Sequence, residues 1–342
     1  MATSIVKQSL GIDVSKKELS VCFSNWEENQ RVRIISTKTF ANNSGGYKKM
    51  DAWIRSLRKD GTIAFSSLME ATGVYYEDAA YFLKAQGWKV SVLVPNKTKA
   101  FAKSLNFKSK TDAIDAKMLA QMALERSLPD WEPLTPKMLK IKRLCRERVA
   151  LQEHKTSAMN QLEATSSAHE AEQECIKRSK ALIQFLKKQI KEVESAIQNE
   201  VDADSDLKDK IEKICTIKGV GIITAATIVA ETNGFALIEN KAQLVSYAGY
   251  DVVENSSGTI QRQTRISKKG NSQLRRALHF PALCAVKYVP ELKALYERVF
   301  DKTKIKLKGY VAVQRKLLVL IYTLFKKAEA YDPAKYAKTQ PA

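Results

Sequence analysis

Residues 9–23 have the sequence SLGIDVSKKELSVCF, which has the pattern of two short apolar strands joined by a polar turn. Asp13 lies in the middle of the first strand. Aspartate is disfavoured in strands, and a buried carboxylate without a partner costs free energy. Asp13 can be buried there at low cost only if a group outside the strand compensates its charge.

The pattern around this stretch predicts a mixed sheet. Three strand-like runs fall within residues 7–41, and a helical segment at 45–59 follows them. A strand at 62–71, a helix ended by Gly87 and a strand stopped by Pro95 then alternate. This order favours a mixed sheet with helices on its faces.

The middle of the chain has the composition of long helices. Three prolines, Pro129, Pro133 and Pro136, mark a boundary, and residues 137–213 contain neither Pro nor Gly. Apolar residues then recur at alternating steps of three and four, at Ile183, Leu186, Ile190, Val193 and Ile197. Such a seam predicts a coiled-coil hairpin or a dimerising arm, although it can equally pack on the protein's own body.

Positive charge is the strongest compositional signal. The 342 residues include 57 Lys and Arg against 37 Asp and Glu, a net charge of +20. Residues 251–342 alone hold 19 basic and 7 acidic residues, which predicts a polyanionic partner and nucleic acid first. An anionic membrane surface is the alternative, but we find no lipidation motif, signal peptide or apolar run long enough to span a membrane. We therefore expect no membrane association and a cytoplasmic, nucleoid-associated protein.

Five scattered cysteines and three histidines form no zinc-binding pattern, so metal chemistry would depend on carboxylates. Glu70 ends another apolar strand, and Asp112 and Asp115 lie three apart where a helical pattern begins. Acids in a first helical turn often serve only as caps or as partners of the helix dipole. Together, however, the four acids can converge at one edge of a sheet and hold Mg²⁺ or Mn²⁺, which would satisfy Asp13.

Residues 215–231, CTIKGVGIITAATIVAE, predict two helices joined by a glycine-containing turn. Gly219 and Gly221 allow backbone N–H groups to approach a phosphate, and Lys218 adds a positive charge. The pattern resembles a helix-hairpin-helix, a sequence-independent DNA-backbone binder. A tight corner between two ordinary core helices is the alternative.

A polar loop with Ser256, Ser257 and Gly258 follows. The basic residues after it are Arg262, Arg265, Lys268, Lys269, Arg275 and Arg276. Ser-Ser-Gly is often only a turn, but the basic residues can hold a phosphate beside an attacking serine. His279 is too far along the chain to be an obvious base, so activation would come from the metal site or from water.

Four segments resemble motifs of the DEDD transposases of insertion sequences, relatives of the Piv DNA invertase. They are GIDVSK, EATGVY, KTDAIDA and SSGTIQRQTRISKKGNSQLRRAL. The resemblance spans nearly the whole chain and implies an RNase H-like fold of the RuvC type. It also implies that Asp13, Glu70, Asp112 and Asp115 are metal ligands and that Ser257 is the nucleophile, with no role for Ser256. Members of this family form homo-oligomers, dimers or tetramers, with a composite active site between subunits, and some are guided by a structured bridge RNA.

These interpretations give an α/β plus α fold in four parts. They are a RuvC-like catalytic domain at 1–130, a helical coiled-coil region at 137–213, a mostly helical transposase domain with a helix-hairpin-helix at 214–330, and a tail at 331–342. The expected function is site-specific DNA recombination by a metal-assisted serine nucleophile. The alternatives are a junction-resolving nuclease that uses water, and a non-catalytic nucleic-acid-binding protein.

Overall fold

The structure is a computed structural model of the chain. It describes residues 4–58, 60–105, 111–236, 238–254, 256–257, 260–261 and 264–337. The chain divides into two compact units, Met1–Pro133 and Leu134–Ala342. The second unit holds both the long helices and the C-terminal region.

A five-stranded mixed sheet forms the centre of the first unit. Its strands are β1 (Ile5–Val14), β2 (Glu18–Glu27), β3 (Val32–Ala41), β4 (Ala64–Glu70) and β5 (Val90–Leu93). They are arranged in the order β3-β2-β1-β4-β5. The first three strands pair antiparallel, whereas β4 is parallel to β1 and β5 is parallel to β4. The RNase H-like mixed sheet expected from the sequence is confirmed.

Helices cover both faces of this sheet, and they are α1 (Ser44–Leu57), α2 (Glu77–Ala85), α3 (Pro95–Ser104) and α4 (Asp112–Glu125). On one face, Leu10 and Ile12 pack with buried residues of α1 and α2. On the other face, Cys22 packs with Ala116 and Ala120 of α4. Alternation of side chains along β1 and β2 therefore gives each helix layer its own part of the core.

The second unit is mostly helical. Its helices are α5 (Pro136–Ser166), α6 (Gln173–Asp202), α7 (Ser205–Cys215), α8 (Ile222–Glu231), α9 (Lys241–Ala248), α10 (Ser272–Ala277), α11 (His279–Tyr288), α12 (Pro290–Thr303), α13 (Lys306–Lys327) and α14 (Pro333–Ala337). Four two-residue strands lie between α9 and α10: β6 (Val252–Val253), β7 (Ser256–Ser257), β8 (Ile260–Gln261) and β9 (Arg265–Ile266). The mostly helical C-terminal region expected from the sequence is confirmed.

The apolar seam of α6 packs within the chain. Ile183 and Leu186 contact Ala158 of α5, and Ile197 joins the main core of the unit. The seam thus packs partly on the preceding helix, as in a helical hairpin, and partly on the main core, whereas the dimerising arm stays a prediction. Among the described helices, none combines the length and apolar composition that a membrane crossing requires.

Candidate functional site

Four acidic residues lie at one end of the sheet in the first unit. Asp13 is near the carboxyl end of β1, and Glu70 is the last residue of β4. The two strands are parallel neighbours with Ile12 opposite Met69, so both carboxyl groups emerge at the same edge. Asp112 and Asp115 occupy the first turn of α4.

Close contact between two backbones holds α4 against β1. Gly11 lies beneath this helix, where a Cβ atom would be 2.1 Å from the Ala116 carbonyl oxygen and 2.2 Å from the Ala120 amide nitrogen. The Ser9 hydroxyl also donates a hydrogen bond of 2.8 Å to the Ala120 carbonyl. A glycine inside a strand is a signal of close backbone approach, but it does not identify the helix that approaches.

The four carboxyl groups lie near enough to affect the ionisation of Asp13. Burial is the largest cause that raises the pKa of Asp13 to about 6, followed by repulsion from Asp112, Asp115 and Glu70. A hydrogen bond from the Val14 amide opposes the rise. The structure thus brings the four predicted acids into one electrostatic cluster.

Neighbouring threonines fix two parts of this cluster. Thr98 of α3 is fully buried, and its hydroxyl donates a hydrogen bond to Glu70 Oε2. Thr111 is the N-cap of α4 and accepts a hydrogen bond of 3.3 Å from the Ile114 amide. The capping role is therefore filled by Thr111, and Asp112 is the first residue inside the helix.

The donor chemistry of the cluster suits a hard divalent cation. Carboxylate oxygens are the ligands that Mg²⁺ and Mn²⁺ prefer. Within the described residues, no three His, Cys, Asp or Glu side chains are gathered closely enough to hold one metal ion. A Mg²⁺ site needs no such cage, because this ion is usually held by one or two carboxylates together with water and substrate phosphates.

In the second unit, the glycine-containing turn lies between α7 and α8. Gly219 has a φ of +96°, and a Cβ there would lie only 2.8 Å from Cys284 Cβ, so backbone conformation and packing both require glycine. Gly221 is the N-cap of α8, without a side-chain cap. Lys218 is exposed beside them. The turn is therefore a tight corner that also leaves an open helix N-terminus.

The segment that carries the serines contains two short antiparallel strand pairs, which we call the serine ribbon. Strand β6 pairs with β9, and β7 pairs with β8, with Ser256 opposite Gln261 and Ser257 opposite Ile260. The Ser256 and Ser257 side chains, Gly258 and Arg262 lie outside what the structure describes. The backbone nevertheless places Ser257 on β7 of the serine ribbon.

The predicted basic residues divide by their contacts. Arg265, Lys268 and Lys269 are exposed. The Arg275 guanidinium instead donates hydrogen bonds to the carbonyls of Ala248, at 2.7 Å, and Gly270, at 3.3 Å. Arg276 is half-exposed and forms an ion pair with Glu153. Arg275 therefore ties the end of α9 to the segment before α10.

Two regions of the chain match families of known transposases. Residues 10–166 match a transposase family, the DEDD transposases of the IS110 type, and residues 211–297 match the family described as Transposase IS116/IS110/IS902. The chain carries the two transposase domains of the IS110 family. The first match contains all four acids, and the second contains the glycine turn, the ribbon and the basic residues after it.

The chain is also similar to individual transposases and invertases. It is 27% identical over 332 residues to the pilin gene-inverting protein of Moraxella bovis, covering 95% of this chain and 98% of that protein. It is 25% identical over 137 residues to the transposase of insertion element IS1111A from Coxiella burnetii, covering 39% and 38% of the two chains.

Solved structures similar to the chain include two resolvases. The structure of T. thermophilus RuvC with a Holliday junction substrate is 12% identical, with a TM-score of 0.25, and covers 33% of this chain and 90% of that one. The fowlpox virus Holliday junction resolvase is 14% identical, with a TM-score of 0.26, and covers 34% and 96%.

One buried network in the second unit could not be read from the sequence. Glu231, whose side chain is 1% exposed, accepts two hydrogen bonds from Arg146, at 2.7 and 3.0 Å, and one of 2.8 Å from Asn271. Burial alone would raise the pKa of Glu231, but Arg146 and Asn271 together lower it below the usual value. The network ties α5, the end of α8 and the segment before α10 to one another. In the sequence, the one sign of this network is Glu231 itself, a charged residue at the end of an apolar helix.

Proposed function

We propose that this IS110-family transposase cleaves and rejoins DNA at the carboxylate cluster of its first unit. The observation that carries the proposal is the position of Asp13 and Glu70 at the ends of two parallel neighbouring strands, close enough to Asp112 and Asp115 in the first turn of α4 for all three to add to the effect of burial on the pKa of Asp13. A cluster of like charges costs free energy unless a cation is held among them.

The metal ligands we propose are Asp13, Glu70, Asp112 and Asp115, with Mg²⁺ or Mn²⁺ held by one or two of these carboxylates per ion and otherwise by water and substrate phosphate. A divalent cation there supplies stabilisation of the oxygens of a phosphoryl displacement. Thr98 orients Glu70 through its hydrogen bond, and the contact at Gly11 sets the position of the first turn of α4.

We propose Ser257 as the nucleophile. When its oxygen attacks the scissile phosphorus, a bond forms between them and a P–O bond of the DNA strand breaks. The released end carries a hydroxyl, which takes up the proton lost by the serine. The ribbon that carries Ser257 and the exposed Arg265, Lys268 and Lys269 support this assignment, because these cations can hold a phosphate.

The partners we propose besides DNA are a structured guide RNA and further copies of the chain. The resemblance of the motifs to bridge-RNA-guided transposases and the net charge of +20 support them. Nucleic acid that co-purifies with the protein, treated separately with RNase and DNase, tests the RNA directly. Loss of the material only with DNase would argue against a guide RNA.

The central experiment incubates the protein with Mg²⁺ and end-labelled DNA. We expect a covalent protein–DNA adduct from wild type and from Ser256→Ala, and none from Ser257→Ala or Asp13→Asn. Proteolysis of the trapped adduct should place the nucleotide on the peptide that contains Ser257. Free nicks with undiminished rate in a Ser256/Ser257 double alanine variant would instead identify a nuclease that uses water.

A further inference from the structure

A groove in the second unit is not used by the proposed function. It lies between α5, α8, α10 and α11 and has a volume of about 660 Å³. Sites for small ligands generally have volumes of roughly 300–1,000 Å³, so the groove can take a group of nucleotide size. Residues that matter for its chemistry are Gln152, Ile223, Gln273, Arg276 and Phe280.

Phe280 gives the groove an exposed aromatic surface. Its side chain is 76% exposed, more than any other large apolar residue in the described ranges. The neighbouring Pro281, which also lines the groove, is buried. The ring meets the His279 ring edge-on, with the two ring centroids 5.3 Å apart. An aromatic side chain so exposed at the rim of a groove is typical of a surface that stacks a ligand.

Polar groups surround this ring. Among the described residues, the side-chain amides of Gln152 and Gln273 have no hydrogen-bond partner, and each can donate and accept. Arg276 and Glu153 form an exposed ion pair on the same lining. An ion pair of this kind contributes little stability, so an incoming phosphate can displace Glu153 from Arg276 at low cost.

The groove adjoins the glycine turn. Ile223 and Thr224, which line it, belong to the first turn of α8, directly after Gly221. A Cβ at Gly219 would lie 3.2 Å from the Pro281 carbonyl oxygen, so the turn packs against the helix that carries Phe280. A strand whose phosphates rest on the turn would therefore pass the aromatic ring.

We propose that this groove binds one unstacked nucleotide of a DNA strand, with its base stacked on Phe280 and its phosphate paired with Arg276. Gln152 and Gln273 can reach the polar edge of the base. The assignment of DNA as the ligand rests on the proposed function. An apolar side chain of a peptide would also fill the groove, but Arg276, whose ion pair with Glu153 is exposed, favours an anionic ligand. The other arginine of the lining, Arg148, is already paired with Glu194 at 2.6 Å.

The test measures binding of a short fluorescent oligothymidylate in the presence of EDTA. Base–aromatic stacking is worth about 1–3 kcal/mol per base, so Phe280→Ala should weaken binding roughly 5- to 150-fold. Phe280→Tyr should retain binding, because the ring remains. The matched control is Tyr288→Ala, which removes another exposed aromatic ring of α11 outside the groove lining and should have no effect.

Several results would overturn the proposal. One is unchanged oligothymidylate binding by Phe280→Ala, and another is an equal loss of binding in Tyr288→Ala. A third is a Phe280→Ala variant that loses binding of an oligouridylate but keeps binding of the oligothymidylate, which would make the ligand RNA. Thermal unfolding of each variant verifies that it folds. Since the assay contains no metal, a failure of cleavage does not affect it. If wild type cleaves duplex DNA and Phe280→Ala binds normally, the groove assignment alone is wrong.

Discussion

Asp13 illustrates how a single side chain can be destabilising in isolation and useful in a site. Its folded-state pKa of about 6 lies above the ordinary value of 3.8, so the folded chain without metal opposes its ionisation. Relative to the ionised form, the protonated carboxyl group of Asp13 raises the free energy of unfolding of the metal-free protein. This contribution is complete below about pH 4 and is lost as the pH rises through about 6. Above that range, the charge destabilises the metal-free fold.

We predict that Asp13→Asn stabilises the metal-free protein near neutral pH. The expected gain is on the order of 1 kcal/mol, less than the pKa shift alone implies, because the group is partly exposed and water screens the repulsion. Thermal unfolding with EDTA at about pH 7 and pH 4 measures it, and the gain should disappear at the lower pH. Added Mg²⁺ should stabilise wild type but not the variant.

The matched control for this experiment is Glu132→Gln, which neutralises an exposed acid of the same unit. It should leave both the metal-free stability and the response to Mg²⁺ unchanged. If Asp13→Asn is less stable than wild type at both pH values, the carboxylate has a partner in the protein and the proposed metal role loses its support.

Glu231 shows the opposite case, because its partners lower the pKa of its carboxyl group by more than burial raises it. Its lowered folded-state pKa adds stability above the ordinary value of about 4.5, and this stability is lost as the pH falls below it. Glu231→Gln keeps the shape but removes the charge, so it should cost about 2 kcal/mol near pH 7. Unfolding measured across pH should show the two proteins converging in acid. Parallel curves would mean that the charge is not what stabilises the network.

At the scale of elements, the position of α4 on the sheet determines the geometry of the acidic cluster. The helix approaches β1 so closely at Gly11 that no side chain fits between them. Any displacement of α4 moves Asp112 and Asp115 relative to Asp13, although none of the acids is altered.

We predict that Gly11→Ala both destabilises the first unit and abolishes DNA cleavage. Overpacking at a buried contact should cost about 1–3 kcal/mol. Gly61→Ala is the control, because a Cβ there meets nothing within 4 Å and should change stability by no more than about 1 kcal/mol. Denaturant unfolding and the adduct assay measure both effects. Full cleavage by a folded Gly11→Ala protein would show that α4 does not position the acids.

The elements also show what could be predicted from the sequence. The strands around Asp13 and the mixed sheet followed from local alternation, because each strand's pattern is set by its own two faces. The contact at Gly11 could not be predicted, since it depends on which helix reaches that strand. The same holds for Arg275 and Glu231, whose partners come from segments distant in the chain. Local patterns specify elements, whereas pairing between elements requires the fold.

At the scale of the whole molecule, charge rather than shape is the property that the proposed DNA interaction uses. The net charge of +20 attracts any polyanion, and a protein that contacts several phosphates releases their counterions. Net charge alone does not identify a binding surface. If DNA binds one localised surface, removing lysines from that surface lowers the salt dependence of DNA binding more than removing lysines elsewhere.

We predict that Lys268→Ala/Lys269→Ala lowers the salt dependence of DNA binding without changing sequence preference. These lysines are exposed just after the serine ribbon, and each phosphate contact contributes roughly 0.9 to the slope of log affinity against log salt. Loss of two contacts should therefore reduce the slope by about 1 to 2. Lys187→Ala/Lys188→Ala on α6 removes the same charge from an exposed adjacent pair and serves as the control. Fluorescence titrations at several salt concentrations measure both slopes. An equal reduction by the two variants would show that binding follows net charge, and an unchanged slope in the first would remove these lysines from the DNA-contacting surface.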